Sequence, residues 1–584
     1  MMRAVLAAAL CAATVGGFGG TDRRPDPRDI ENGHKIAAYN YADQPYVVVN
    51  RRGEWVCVLT TGRKPEGSRG QFVVSTISAD KGKTWSEPVA IEPDDGPEAS
   101  WATPLIVPSG RIYVFYTYNG DDVTTLPGGG KKVRSDTHGW YVFRYSDDDG
   151  RTWSPRRYRI PIRVTEADRR NPWKGEVCHF WGIDKPKVQN GTVYFAFTKL
   201  ARFFMEEGEG WIASSKNILT EDDPEKIEWT ILPDGDHGIR SPALGSIQEE
   251  FNLLPLGGDA LFAVNRTTNG FIACSYSRDG GRNWSEPEPL AYEPGGRVVK
   301  SPRACPKLLA ASGGRVLLWY HLNGGHDFMN RNPVFLSAGR LGKDGRMRWS
   351  EPELALYSCD ASARMSYPDI IEQDGRFWLT ETQKTFARVH ALESGFLDGL
   401  WNQDACAKAA VRGRLVAARG AGVVKIGPSF GGFEGGGHTV ELVFDAAAAK
   451  DGEALFEAVG ADGRGVRVSA ESEGGARTLR YLRRDGATVV DLRADPELFR
   501  KGANHAAFVL DARAGVVLAY VNGHICDGGK SRDFGFARIA KGVRPLADVS
   551  SGGASGSVKL LRLYDRPLRT AEVVGGFKAS GGAR

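Results

Sequence analysis

Cysteine is scarce, with eight in 584 residues. Beyond Cys11 the others are Cys57, Cys178, Cys274, Cys305, Cys359, Cys406 and Cys526, scattered without C-x-x-C spacing, which excludes a disulfide framework. Charge of one sign is also missing. The 76 Lys and Arg stand against 71 Asp and Glu, and a dispersed net charge of +5 leaves no basic footprint for a nucleic acid. Past the N-terminus no apolar run is long enough to span a bilayer, so no membrane span is expected. Hydrophobic residues at 41% and charged residues at 25% are ordinary globular values and exclude wholesale disorder.

The N-terminus reads Met1-Met2-Arg3, an apolar stretch from Ala4 to Val15, then Gly16-Gly17-Phe18-Gly19-Gly20 before the polar TDRRPDPRD. This matches the regions of a secretory signal over residues 1–20 and predicts export, periplasmic or extracellular. Leu10 is too bulky for the small position that precedes a lipidated cysteine, so no lipid anchor is expected at Cys11.

Glycine is abundant. The 73 glycines amount to one residue in eight and accompany 14 Trp, 18 Tyr and 26 Phe, a composition of turns and aromatic strands that predicts an all-β chain. A short string recurs as SADKGKTW (78–85), SDDDGRTW (146–153) and SRDGGRNW (277–284). Each fits S-x-D-x-G-x-[TN]-W and follows an apolar strand-like run. The Asp can accept turn N–H groups, the Gly supplies positive φ, and the Trp packs the turn onto the sheet, so the boxes are structural. Fainter copies end at Trp229 and Trp349. An irregular period of tens of residues suits propeller blades with variable loops, and residues 37–404 accommodate six, one closed by N- and C-terminal strands together.

Near Cys406 the composition shifts to Ala, Gly and Val, and a second domain is expected at 405–578. Its pieces HAAFVLDARAGVVLAYVNG and VKLLRLYDRPLRTAEV alternate apolar and polar residues, as in an antiparallel β-sandwich. They resemble the laminin-G-like or concanavalin-A-like jelly rolls that accompany secreted glycosidases, which implies either a sugar or calcium site or a ligand-free spacer. The segment from Cys406 to Leu415 reads as a linker, so the two domains are expected to separate.

Three such boxes in an exported propeller resemble the sialidase (neuraminidase) superfamily, over roughly Asp43 to Trp401. The residues between the boxes extend the likeness. QEEFNLLPLGGDALFAVNR places Glu250 and Arg266, MNRNPVFLSAG places Arg331, and SYPDIIEQDGRFWLTETQ places Tyr367 and Glu381. The resemblance implies a glycosidase whose nucleophile is Tyr367 with Glu250 as its base. A ketosidic sugar bearing a carboxylate repels a carboxylate nucleophile, so a neutral Tyr attacks and a Glu takes its proton. Arg266 and Arg331 would grip the substrate carboxylate through forked N–H pairs. Glu250, Arg266, Arg331, Tyr367 and Glu381 should then converge at one end of the propeller axis, with the boxes at the periphery. Glu381 could equally pair with Arg388 or Lys384.

The sequence departs from the family at two places. Asp43-Gln44-Pro45 stands where the family has Arg-Ile-Pro. Either Arg303 or Arg364 replaces the lost cation, or Asp43 serves another sugar as acid, base or hydroxyl ligand. In TGRKPEGSRGQ, Arg63 matches the family but the acid/base Asp does not, and Glu66 is the nearest carboxyl. Glu176, Trp181 and His321 are further candidate cleft residues. His321 and His326 lack a third ligand, so no metal is expected and no cofactor is called for. The partner expected is a glycan or glycoconjugate. The reaction expected is removal of terminal sialic acid or a related acidic sugar, against two rivals: a carboxylate-based enzyme for another acidic or neutral sugar, and a non-catalytic glycan binder.

Overall fold

A computed structural model describes residues 25–582, apart from 130, 203–205, 428–429, 432–435, 487–488, 540–545, 547–548 and 550. The export segment expected at 1–20 lies outside the described residues. Among the described residues, six antiparallel blades succeed one another. The first comprises Tyr41–Val49, Trp55–Gly62, Gln71–Ser78 and Val89–Ala90. The sixth comprises Ile370–Gln373, Arg376–Thr382 and Ala387–Leu392, and is closed by the N-terminal pair His34–Lys35 with His34 opposite Val389. Blades two and three are fused. Cys178–Trp181 pairs with His138 and Gly139 on one side and with Thr198 and Lys199 on the other. The inner ends of the blades are tied by ion pairs rather than left open, as where Lys185 Nζ lies 2.7 Å from Asp369. The all-β fold is therefore a six-bladed propeller followed by a β-sandwich.

The recurring boxes are turns whose chemistry is local. Asp80 accepts from Ser78 Oγ (2.8 Å), Lys83 N (3.0 Å), Thr84 N (2.9 Å) and Thr84 Oγ1 (2.6 Å), and Trp85 Nε1 donates to Gly82 O. Asp148 and Asp279 repeat the pattern. Gly82 adopts φ +81°, and a Cβ there would lie 2.8 Å from the Trp55 ring. Asp80→Ala removes the acceptor from two backbone N–H groups and is expected to lower Tm by several degrees with kcat of the folded protein unchanged, as scanning calorimetry beside steady-state kinetics would show.

The sandwich has one sheet in the order Arg414–Arg419, Val558–Tyr564, Gly437–Asp445, Ala503–Asp511, Val516–Val521 and His524–Ile525. The other contains Gly422–Lys425, Ser551–Ala554, Ala454–Val459, Gly465–Glu473, Ala476–Arg484 and Val489–Arg493. The tail piece read as alternating strand is a strand only to Tyr564. Thr570–Ala579 is a helix, with the Glu572 carboxylate accepting from Arg569 N and with Val573, Val574 and Phe577 buried.

The two domains do not meet across a simple linker. Tyr292, Tyr320, Phe335 and Trp349 of the propeller share one buried cluster with Val509, Leu518, Tyr520, Phe536 and Leu568 of the sandwich. Arg297 bridges Glu351 (2.9 Å) and Asp527 (3.2 Å), and Arg28 reaches Asp511 (2.7 Å). The expectation of separable domains thus meets a shared buried cluster, and expression of the propeller alone tests it.

Glu353 sits in that seam and accepts from Thr570 N (3.1 Å) at the start of the helix. Burial pushes its carboxyl from 4.5 up to about 7, against the pull of that N–H. A raised acid contributes stability that is complete below its unfolded value near 4.5 and is lost as pH rises through about 7. Buried His179, His321 and His438, held down at about 3 by burial, act in the opposite sense, losing stability as pH falls through 6.5. A difference measurement isolates the seam. The Tm of Glu353→Gln minus that of the native protein is expected to grow between about pH 5 and about pH 8. A constant difference would show that Glu353 does not titrate in this window.

Candidate active site

The innermost strands do not run straight into the centre; they bulge at one end. Register shifts occur between Asp43 and Tyr46, between Ser100 and Thr103, and between Glu249 and Asn252. At or beside these bulges, non-glycine residues take positive φ: Gln44 (53°), Trp101 (67°) and Glu250 (57°), with Tyr367 (47°) at the start of blade six. A bulky residue in this region costs of order 1–3 kcal/mol, and bulges re-aim side chains. Here Trp101 and Glu250, at bulges, and Tyr367 line one pocket of about 160 Å³.

In that pocket Tyr367, 4% exposed, donates from its hydroxyl to Glu250 Oε1 at 2.6 Å. Arg266 Nη1 lies 2.8 Å from the same oxygen, while its Nε and Nη2 hold Glu249 at 3.0 and 2.7 Å. Glu249 is also held by Arg303 Nε at 2.9 Å. Arg331 donates to Ser366 Oγ (2.8 Å) and Arg303 O (2.7 Å). The Phe328 ring lies 5.7 Å from the Arg266 guanidinium and 5.8 Å from that of Arg331. Glu250 Oε2 and Arg331 Nε are buried with no partner among the described residues, and both residues line the pocket. Burial first, then the Glu250 charge, pushes the Tyr367 phenol well above 10, with Arg266 and Arg331 opposing. The Tyr367 phenol is therefore neutral before reaction.

The wall opposite comes from blades one, two and six. Lys384 Nζ lies 2.6 Å from Asp43 Oδ2, 3.2 Å from Glu66 Oε1 and 4.4 Å from the centroid of the Tyr367 ring. Arg134 lies 3.3 Å from Glu66 and 2.6 Å from Asp136. Burial raises the Glu66 carboxyl, but Lys384 and Arg134 outweigh it and hold it at about 2. Glu66 lines the pocket yet does not store a proton there. Asp43 is fully buried beneath Lys384, outside the pocket wall, and its carboxyl is raised by burial against the pull of Lys384.

Of the residues singled out in the sequence, Tyr367, Glu250, Arg266, Arg331, Arg364, Glu66 and Trp181 line this pocket. The rest do not. Glu381 is buried beside Arg388 (3.7 Å) and His390 (3.5 Å) and does not line the pocket, so its expected convergence with Tyr367 is corrected, and the pairing with Arg388 is the one the structure has. Arg63 pairs with Asp94 at the surface (2.9 Å), Arg303 is spent on Glu249, and Glu176 is exposed. His321 is buried against Pro333 O (3.4 Å) and His326 accompanies Thr268 O (2.6 Å). Among the described residues no cluster of three His, Cys, Asp or Glu side chains is placed to hold a metal ion, and no helix is long and apolar enough to cross a membrane.

A family described as BNR repeat-like domain matches residues 61–379, just over half of the chain. The chain belongs to this BNR repeat-like family. No curated protein matches it. Among solved structures it is similar to a Trypanosoma rangeli sialidase at 12% identity (TM-score 0.44), over 93% of this chain and 94% of that one. It is also similar to the Hadza microbial sialidase Hz136 at 17% identity (TM-score 0.43; 62% and 68%). A protein of unknown function from Dyadobacter fermentans DSM 18053 matches at 15% identity (TM-score 0.43; 62% and 98%).

Several pocket residues of this BNR repeat-like protein escaped the sequence reading: Trp101, Arg134, Phe328 and Lys384. Trp101 left a signal. DQP, WATP and SYP each place a proline one to three residues after the positive-φ position, at the start of an inner strand. Arg134 and Lys384 left none, because the Glu66 carboxylate that each meets at the pocket lies more than 60 residues away.

Proposed function

We propose that this protein is an exported, retaining exo-glycosidase of the sialidase superfamily, acting on a terminal sugar that carries a carboxylate, sialic acid or a related acidic sugar. The observation that carries the reading is the Tyr367 hydroxyl on Glu250 at 2.6 Å, with Arg266 closing on the same carboxylate. Tyr367 Oη attacks the anomeric carbon as its proton passes to Glu250, and the bond to the aglycone oxygen breaks. Water then attacks the anomeric carbon of the aryl glycoside and gives up a proton that replaces the one taken by the aglycone, Glu250 returns its proton to the departing Tyr367 oxygen, and configuration is retained over two displacements. Arg266 and Arg331 favour the developing phenolate. The substrate class follows from charge. Arg134, Arg266, Arg331, Arg364 and Lys384 line the pocket against only Glu66 and Glu250. A cationic pocket favours an anionic ligand over a neutral one.

Glu66, held ionised by two cations, is a poor acid in the empty pocket. The leaving oxygen draws its proton from water, or from Glu66 once substrate displaces one of those cations. The same feature supports a second reading, a glycan binder without turnover. Hydrolysis of fluorogenic 4-methylumbelliferyl glycosides of sialic acid, glucuronic acid and galactose separates them. Release from the sialoside with retained configuration is expected. Turnover of the galactoside alone would defeat the acidic-sugar reading, and binding without release would favour the binder. The sandwich is proposed as a laminin-G-like or concanavalin-A-like module that contacts carbohydrate beyond the cleaved residue.

A further inference from the structure

Lys384 stands at the junction of blades six and one. Its carbonyl accepts from Ala42 N (2.9 Å), its own N–H donates to Thr382 Oγ1 (2.8 Å), and its φ is +72°. The backbone that presents this side chain is thus locked from both blades. Below it, Asp43 is fully buried and accepts from Tyr41 Oη (2.8 Å) and Gln44 N (3.1 Å) as well as from Lys384 Nζ. An ammonium has three donors. Asp43 and Glu66 take two of them, which leaves a third for a ligand in the pocket that Lys384 lines with Tyr367. The side chain is 13% exposed, so that donor is open to a ligand but shielded from bulk water.

We propose that Lys384, fixed from beneath by Asp43, is a substrate-binding cation that holds the sugar carboxylate on the side of the pocket facing Arg331 and supports the Tyr367 phenolate. The inference rests on the acidic-sugar reading above. Asp43 is then a positioning residue. It touches no substrate, and its charge serves to keep one ammonium at one place. The carboxylate at position 43 and the lysine from another blade form a pair of no net charge, and what the pair offers the pocket is the ammonium rather than the carboxylate. The pairing also answers the apparent conflict between an anionic Asp43 and an anionic substrate. Lys384 cancels the Asp43 charge at 2.6 Å and stands between it and the pocket. Glu66 gains a role too, since a carboxylate ligand competes with it for the same ammonium.

The test uses the full chain and the 4-methylumbelliferyl sialoside. Lys384→Met alone leaves a buried unpaired Asp43 and risks unfolding, so the neutral pair Asp43→Asn/Lys384→Met is the main variant, with Lys384→Arg as the conservative one. The double variant is expected to keep its Tm within a few degrees and to lose about 10²-fold in kcat/KM, with KM rising more than kcat falls. Lys384→Arg should retain kcat/KM within about tenfold. Asp43→Asn, with the cation present but no longer fixed, should raise KM several-fold at nearly constant kcat. If the native protein hydrolyses the sialoside and the double variant matches it within about threefold in both constants, Lys384 does not bind substrate and the proposal is wrong. If the native protein instead hydrolyses only the neutral galactoside, or neither hydrolyses nor binds the sialoside, the acidic-sugar reading fails and takes the proposal with it.

Discussion

Tyr367→Phe is expected to lower kcat by roughly 10³-fold or more on any glycoside the protein cleaves, while ligand binding and Tm change little. The change deletes one oxygen from a ring that stays 4% exposed among Trp101, Trp181, Tyr46 and Cys305. Glu250 loses its 2.6 Å donor but keeps Arg266 Nη1 at 2.8 Å, so no buried carboxylate is left unpaired. The φ of +47° at position 367 is no harder for Phe than for Tyr. Fold and binding should therefore survive and only the nucleophile be missing. Denaturing mass spectrometry after rapid quench with a 2,3-difluoro acidic sugar should show a covalent adduct on the native chain and none on the variant. Turnover by Tyr367→Phe within tenfold of the native rate would remove Tyr367 from the role of nucleophile.

The box turns were legible because every partner of Asp80 lies within four residues of it. Blade closure by the N-terminal strand followed from counting. Tyr367, Glu250, Arg266 and Arg331 were legible from the resemblance, and their positive φ values and mutual distances belong to the three-dimensional arrangement. Glu381 misled because it lies one blade strand away from Tyr367 in sequence, yet Arg388 and His390, on the next strand, receive it outside the pocket. Lys384, three residues on, is the side chain that enters the pocket. Nothing local marks it, since the carboxylates that fix it are 341 and 318 residues away.

The seam between the domains did leave a mark in the sequence, and it leads to the second large effect. Val516–Val521 falls in a piece expected to alternate, but it reads VVLAYV, a continuous apolar run, and every one of its residues is buried. A strand apolar on both faces must be covered on both. One face of this sheet packs into the sandwich core through Val517, Ala519 and Val521, and the other meets the propeller through Val516, Leu518 and Tyr520. Phe536 of the sandwich lies 6.3 Å from Phe335 of blade five, ring to ring. A chain ended after Asp404 would take the sandwich side chains away from the cluster that Tyr292, Tyr320, Phe335 and Trp349 share with them, and would strip Arg297 of Asp527. Each large apolar side chain returned to water costs about 1.5–3 kcal/mol, so four of them approach the whole 5–15 kcal/mol that holds a typical domain folded. The truncated propeller is therefore expected to be insoluble, or to bind a hydrophobic dye and melt without a cooperative transition. Recovery of a monomeric 1–404 fragment with a sharp melting transition would show that blades four and five are stable without the sandwich.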